Sequence, residues 1–327
     1  MSKDTLLKLS DHLTLPIVAA PMFLISSPAM LIDCCLNGVI GSFPASNART
    51  IEKLDEWMKE INQSFIDARK EHEKRKIAPW AINIIVHTSN GRFNEELELV
   101  KQHQPPIVIT SLGSPKRVVE VVHGYGGIVF SDVSTVAFAK KAAEAKVDGL
   151  ILVSAGAGGH AGLINGFAFI DSVKAFWDGI ILLAGSISTG AGVLAAQAAG
   201  ADLAYMGTRF IVAKENFAKD AYREMILASN YEDIIYTDAF SGVHSNMLIP
   251  SIENVGLDIN DLVRKKEISF DNNSDNRKLK AWKDIWSAGH GVGGIETIDS
   301  TTNIINQLRE EYEESLCSVN EFAKKII

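Results

Sequence analysis

IILLAGSISTGAGVLAAQAAGADLAYMGTRFIVAKE, residues 180–215, is the stretch that decides the fold. Its first apolar run, Ile180–Ala184, predicts a buried strand that ends in Gly185-Ser186. A second apolar run, Leu203–Met206, predicts another strand that ends in Gly207-Thr208. Each predicted strand therefore ends in two small residues, and such a turn offers uncovered backbone N–H groups to an oxyanion.

Between these two strands the sequence predicts a helix. Ser188 or Thr189 is the expected N-cap and Gly200 the expected stop, since hydroxyl side chains cap the first turn and glycine ends many helices. The start of the helix carries partial positive charge, which we expect to favour an anion at the preceding turn.

The rest of the chain repeats this alternation of an apolar strand and a helix. Near-continuous runs of Val, Ile and Leu are typical of parallel strands buried on both faces. Eight such units predict an α/β fold, a (β/α)8 TIM barrel, which often binds a phosphate after strands 7 and 8. The alternative is a doubly wound sheet with a second domain, which the lack of GxGxxG after the first strand disfavours. The predicted strands are residues 15–24, 39–43, 80–86, 107–112, 127–133, 149–154, 180–184 and 203–206.

Amphipathic and capped segments predict the helices. The helix after Thr50 has apolar residues at steps of three and four, and its other positions are charged up to Lys76. Ser134 is the expected cap of a helix that runs to Lys146. The remaining predicted helices are residues 28–36, 93–103, 115–123, 170–177, 217–228 and 300–327.

The alternation of apolar strands and helices ends after the eighth predicted strand. Residues 215–285 mix a short helix with polar loops and a charged stretch. We predict that they form an inserted small subdomain on the substrate side, covering the C-terminal mouth of the barrel. Residues 1–214 and 286–327 would then form the barrel itself.

Composition narrows the class of protein. The chain has 327 residues, 46% of them hydrophobic, and a net charge of −8. It can therefore bury a large core, and its charge disfavours a nucleic-acid partner. Three cysteines fit a reducing compartment, and we see no metal-ligand spacing. With no apparent signal peptide and no run of eighteen apolar residues, we expect a soluble cytoplasmic protein without a membrane partner.

A glycine-rich loop follows the sixth predicted strand. It reads SAGAGGHAG at residues 154–162, so that His160 lies among glycines at the catalytic face of a barrel. Glycines let the backbone approach a flat ligand, and His160 could act as base or hydrogen-bond donor. A flexible turn with an incidental histidine is the alternative, although such a turn needs fewer glycines.

Two further places carry weaker signals. Asn83 lies in an apolar strand, where a ligand or the neighbouring backbone could satisfy its amide. Residues 21–23, at the end of the first strand, could present backbone groups to a planar ring or simply pack in the core. Spacing alone does not choose between these readings.

Together, five segments resemble one family. APM at residues 20–22, the strand of Asn83, AGAGGHAG at 155–162, LAGSISTG at 183–190 and GADLAYMGTRF at 200–210 are similar to the nitronate monooxygenase (2-nitropropane dioxygenase-like) flavoproteins. The resemblance spans about residues 13–215 and returns weakly at 286–292. It implies an FMN-binding TIM barrel with an inserted subdomain.

The resemblance also implies roles for particular residues. His160 matches the family's active-site histidine, whereas Val153 and Tyr205 stand where many relatives have polar Gln or Glu. Loss of those polar groups puts the ring contacts and the choice of substrate in question. The implied FMN-binding residues are Ala20, Pro21, Met22, Asn83, Gly158, Gly159, Gly185, Ser186, Met206, Gly207 and Thr208.

Three functions follow from the resemblance as hypotheses. The first is an FMN-dependent monooxygenase that oxidises alkyl nitronates with O2 to a carbonyl compound and nitrite. The second is an NAD(P)H-dependent reductase of the enoyl-acyl-carrier-protein or quinone type, and the third is a flavin-binding protein without turnover. Each takes a small-molecule ligand, and the resemblance leaves a homodimer open.

Overall fold

Eight parallel strands form a nearly closed barrel in the part of the chain that the structure, a computed structural model, describes: residues 2–71, 75–264 and 282–326. The predicted TIM barrel is thus confirmed. The strands are β1 (Ile17–Ala19), β2 (Ser42–Pro44), β3 (Ala81–Ile85), β4 (Ile107–Ser111), β5 (Ile128–Val133), β6 (Gly149–Val153), β7 (Ile180–Ala184) and β8 (Leu203–Met206).

The order of the strands follows the chain. Each strand from β2 to β8 pairs in parallel with the next in sequence, and β8 pairs with β1. A bridge between Val18 and Ile40, just before β2, closes the circle, with Ala19 N donating to Ile40 O at 2.8 Å. All eight strands therefore point their carboxyl ends toward one face, where loop residues from distant parts of the sequence meet.

The helices surround this barrel. The final helix α12 packs against α8 and α2, so it takes the place of the eighth barrel helix although a long segment separates it from β8. The helices are α1 (Ser2–Ser10), α2 (Pro28–Leu36), α3 (Ile51–Glu71), α4 (Phe93–His103), α5 (Lys116–Gly124), α6 (Val136–Glu144), α7 (Gly166–Lys174), α8 (Gly190–Ala199), α9 (Thr208–Ile211), α10 (Asp220–Ala228), α11 (Ile249–Glu253) and α12 (Thr301–Ile326).

A three-stranded antiparallel sheet, here called the lid sheet, lies over the carboxyl ends of the strands. Its strands are Ile234–Thr237, Ser245–Leu248 and Gly159–His160, in that order. A small apolar cluster around Met247, Ile252 and Ile285 supports it, separate from the main core. The predicted subdomain boundaries stay a prediction, since residues 265–281 lie outside the described parts of the chain.

Most element boundaries agree with the sequence-based expectations, and the exceptions have local causes. Thr135, not Ser134, caps α6, because its side chain accepts from Phe138 N. Asn165 starts α7 by accepting from Phe167 N, so that helix begins at Gly166 and ends at Lys174 instead of spanning 170–177. The first strand has only three residues and ends before Pro21, which has no N–H to donate to a strand, and a turn follows at residues 23–25.

Within the described residues, no helix combines the length and the apolar character needed to cross a membrane. No group of three His, Cys, Asp or Glu side chains within those same ranges is arranged to hold a metal ion.

Thr189, not Ser188, caps α8, because its hydroxyl oxygen accepts from Gly192 N at 3.1 Å. We therefore expect Thr189→Ala to lower the free energy of unfolding by about 1 kcal/mol. Ser188→Ala is the matched control, and its effect should be clearly smaller. Urea denaturation of both variants measures this, and equal losses would contradict the assignment.

Candidate active site

One cavity of about 1200 Å³ lies between the carboxyl ends of the strands and the lid sheet. Eleven of the twelve residues that the sequence singled out line it. Met206 does not, because its side chain is buried below the cavity while its carbonyl accepts from Ala20 N at 2.9 Å. The eleven are Ala20, Pro21, Met22, Asn83, Gly158, Gly159, His160, Gly185, Ser186, Gly207 and Thr208.

Three loops meet at one end of this cavity. Gly289 N, from the C-terminal loop, donates to Thr208 Oγ1 at 2.9 Å. A Cβ at Gly158 would lie 2.9 Å from Gly289 N, and His290 N donates to Gly156 O at 2.9 Å. The backbones approach so closely that only glycine fits at residue 158. The sequence did not predict that Gly289 and Gly291 line the site, because the partners of this loop lie about 80 to 130 residues earlier in the chain.

The turn after β7 has the backbone conformation of a tight ligand loop. Gly185 has φ of +124°, and Ser186 has φ of +58°, which is uncommon for a residue with a side chain. A Cβ at Gly185 would lie 2.8 Å from Ala155 O, so this glycine is also required by packing. Gly185 and Thr208 thus line one cavity at adjoining loops, as the positions after strands 7 and 8 predict.

The start of α8 differs from the expectation. Glu311 on α12 accepts from Gly190 N at 2.7 Å, and Thr189 accepts from Gly192 N at 3.1 Å. A carboxylate therefore already compensates the partial positive charge of this helix. An anion near this helix start stays a prediction, and the sequence did not reveal the contact with Glu311 because that residue lies 121 positions further on.

His160 belongs to the lid sheet, where it pairs with Ser245. Its Nε2 lies 3.4 Å from Ser241 Oγ, and the edge of its ring meets Trp282 with the ring centres 5.1 Å apart. The loop below is held by Asn246, whose amide donates to Ala157 O at 2.7 Å. These contacts keep the imidazole at the cavity wall.

Burial lowers the pKa of His160 to about 4. A cation at this position loses its hydration, which disfavours the protonated imidazole. At neutral pH His160 is uncharged, with one ring nitrogen able to donate and the other able to accept a hydrogen bond.

Asn83 forms hydrogen bonds to neighbouring groups and also faces the cavity, so each of its two expected roles holds in part. Its amide nitrogen donates to Ser111 Oγ at 2.6 Å and to Ile109 O at 3.3 Å, and the residue also lines the cavity. Ser111 Oγ in turn donates to Asp132 Oδ2 at 2.6 Å, whereas Asp132 Oδ1 is buried without a hydrogen-bond partner. Sequence reasoning missed Ser111 and Asp132, since small and acidic residues at strand ends also fit ordinary turns.

Val153 and Tyr205, the two departures from the pattern, both line the cavity. Burial, and then the charge of Asp132, raise the pKa of the Tyr205 phenol well above its ordinary value. Tyr205 therefore stays protonated and remains a hydrogen-bond donor at the cavity floor.

The nitronate monooxygenase family model matches residues 5–311, almost the whole chain. The chain belongs to the nitronate monooxygenase family. Membership makes it a flavin-dependent oxidoreductase, and the resemblance noted from the sequence is confirmed.

Individual relatives of this nitronate monooxygenase family member are distant. A nitronate monooxygenase of Paraburkholderia phytofirmans is 25% identical, over 94% of this chain and 95% of its own length. A probable nitronate monooxygenase of Staphylococcus haemolyticus is 27% identical, over 55% of this chain and 56% of that protein.

Solved structures share the fold. FabK from Thermotoga maritima has a TM-score of 0.77 at 20% identity, with 96% of this chain and 98% of that chain covered. Nitroalkane oxidase from Streptomyces ansochromogenes has a TM-score of 0.75 at 18% identity, with 95% and 99% covered.

The neutral state of His160 predicts a dependence of stability on pH. Because folding lowers the pKa of His160 from 6.5 to about 4, the unfolded chain takes up the proton first as the pH falls. The contribution of neutral His160 to the free energy of unfolding is complete above the pKa of the unfolded chain. It is lost as the pH falls from that pKa to the pKa of the folded protein. His160→Gln should therefore lose less thermal stability than the wild type between about pH 7 and about pH 5.

Thermal melts across this pH range measure the difference. His12→Gln removes an exposed imidazole and is the matched control, which should follow the wild type. A His160→Gln profile parallel to that of the wild type would show that His160 is not held neutral.

Proposed function

We propose that this protein is an FMN-dependent monooxygenase that oxidises alkyl nitronates with O2 to a carbonyl compound and nitrite. Support comes from the family, from the convergence of the two loops after β7 and β8 on one cavity, and from His160 in its wall. The single observation that carries the proposal is this shared cavity, since glycine turns that suit an oxyanion and an imidazole line the same space.

The residues present fit FMN. The turns at Gly185-Ser186 and Gly207-Thr208 line the cavity, and no large side chain covers their backbone N–H groups. These turns would hold the phosphate, and Ala20, Pro21 and Met22 would face the ring from the end of β1. When bound, the flavin would take electrons from the substrate and pass them to O2.

His160 acts on the substrate as a neutral imidazole. A nitronate is an anion, and its oxygens would accept a hydrogen bond from the ring N–H. A neutral nitroalkane would instead have to lose its α-proton, which the unprotonated ring nitrogen can accept. An anion beside the imidazole raises its pKa, so the substrate itself favours proton uptake there.

The lid supplies an apolar roof for a small substrate. Phe240, Val243 and Trp282 line the cavity opposite the strand ends. They exclude water, which strengthens the hydrogen bond between His160 and a bound anion.

A reductase is the second candidate, and the length of the cavity favours it. The cavity of about 1200 Å³ extends past the strand ends to Phe138, Lys141 and Glu144 on α6. Drug-sized ligands fill about 300–1,000 Å³, so an elongated acyl or quinone substrate would also have room.

The first test is catalysis with two forms of one substrate. Purified protein should carry FMN and consume O2 with a nitronate, and His160→Ala should lower kcat/KM by about a hundredfold or more. His160→Gln retains a hydrogen-bond donor but no base, so it should keep more activity on the preformed nitronate than on the neutral nitroalkane. No O2 consumption by the wild type with either form would exclude this substrate class.

The second test separates the two candidates. Under anaerobic conditions, NADH or NADPH should leave the absorbance of the bound oxidised flavin unchanged, whereas a nitronate should bleach it. Rapid bleaching by a nicotinamide would establish the reductase instead. Dithionite, which reduces accessible flavin chemically, is the positive control.

A further inference from the structure

Asp132 is a half-buried acid that the proposed function leaves unused. It lies at the end of β5 and lines the cavity floor. Its Oδ2 accepts a hydrogen bond from Ser111, but its Oδ1 is buried without a partner. An unsatisfied buried oxygen is costly, so a group that binds in this cavity gains free energy by pairing with it.

Within the part of the chain that the structure describes, no positive charge lowers the pKa of Asp132. Burial raises its pKa to about 6, with only the hydrogen bond from Ser111 acting in the opposite direction. His160 is neutral and Tyr205 keeps its proton, as described above. Three other titratable groups lie in or beside the cavity, and two more on α6 lie at its edge. The groups concerned are Tyr205 on β8, His160 in the lid sheet, Lys141 and Glu144 on α6, and His290 beside Gly156.

The neighbouring hydrogen bonds decide which oxygen carries a proton. Asn83 donates to Ser111 Oγ, and Ser111 donates its own hydrogen to Asp132 Oδ2. Oδ2 is therefore an acceptor, and a proton on this carboxyl belongs on Oδ1. Ser111 and Asn83 act as positioning residues that leave Oδ1 to carry the proton, on a residue that lines the cavity.

We propose that Asp132 binds the flavin ring as a neutral carboxylic acid and donates a hydrogen bond from Oδ1 to a ring acceptor. This inference rests on the proposed function, since it assumes that the cavity holds a flavin. The ring displaces the remaining water from the carboxyl group and offers carbonyl and imine acceptors but only one N–H. A neutral carboxylic acid pairs its own Oδ1–H with an acceptor of the ring. A carboxylate would instead be buried with its negative charge facing those acceptors.

Binding is then linked to proton uptake. The flavin raises the pKa of Asp132 above its ligand-free value of about 6. The affinity for the flavin is highest below that pH and falls as the pH rises. It becomes constant above the pKa that Asp132 has in the complex. Between the two pKa values, the affinity should fall about tenfold for each pH unit.

Riboflavin is the probe for this linkage. The phosphate of FMN titrates near pH 6 itself, so FMN would mix two proton equilibria, whereas riboflavin has no phosphate. The dissociation constant of riboflavin, from the quenching of its fluorescence, is measured between about pH 5 and about pH 8.5 with the wild type and its variants.

Asp132→Asn should bind riboflavin independently of pH, with an affinity near that of the wild type at low pH, because an amide N–H replaces the acid O–H. Ser111→Ala should move the loss of affinity to higher pH, since the lost hydrogen bond favoured the ionised form. Asp171→Asn, on the exposed face of α7, is the matched control and should keep the wild-type profile. Thermal melts establish that each variant is folded.

A wild-type affinity that does not fall with pH, or an equal fall in folded Asp132→Asn, would overturn this inference while leaving the proposed function in place. A wild type that binds neither riboflavin nor FMN at any pH would overturn the proposed function and this inference together.

Discussion

The close approach of three loops at Thr208 is the constraint on which the site depends. The hydrogen bond from Gly289 N–H to Thr208 Oγ1 joins the last barrel strand to the C-terminal loop, and Gly158 fits between them only because it lacks a side chain. This packing brings the His160 loop over the turns after β7 and β8. A Cβ at Gly158 would push backbone against backbone, which cannot move aside as a flexible side chain could.

Burial gives the two titratable groups His160 and Asp132 of the cavity their electrostatic character. It lowers the pKa of His160 and raises the pKa of Asp132, so both groups tend toward their neutral forms. A cavity of neutral donors and acceptors suits a planar heterocycle better than a fixed pair of ions would, because its hydrogen bonds need no compensation for lost hydration. The lid sheet maintains this state, since His160 is itself part of it.

Much of the fold could be predicted because its signals are local. The strands Ile180–Ala184 and Leu203–Met206 and the helices Pro28–Leu36 and Phe93–His103 match the predicted bounds. Capping was harder to predict where two neighbouring hydroxyl residues compete, because backbone geometry selects between Ser134 and Thr135. Of the candidate site, the residues at strand ends were predicted well, since a barrel places every strand end on one face.

The sequence by itself determined the barrel and the ring of small residues at its mouth, because periodicity and glycine placement act over a few neighbouring residues. Only the tertiary structure decided that Glu311 occupies the start of α8, that Gly289 completes the cavity and that His160 is neutral. It also decided that, among the described residues, Oδ1 of Asp132 is buried without a hydrogen-bond partner. These features depend on contacts between distant segments and on the loss of water in the closed cavity, which no local pattern encodes.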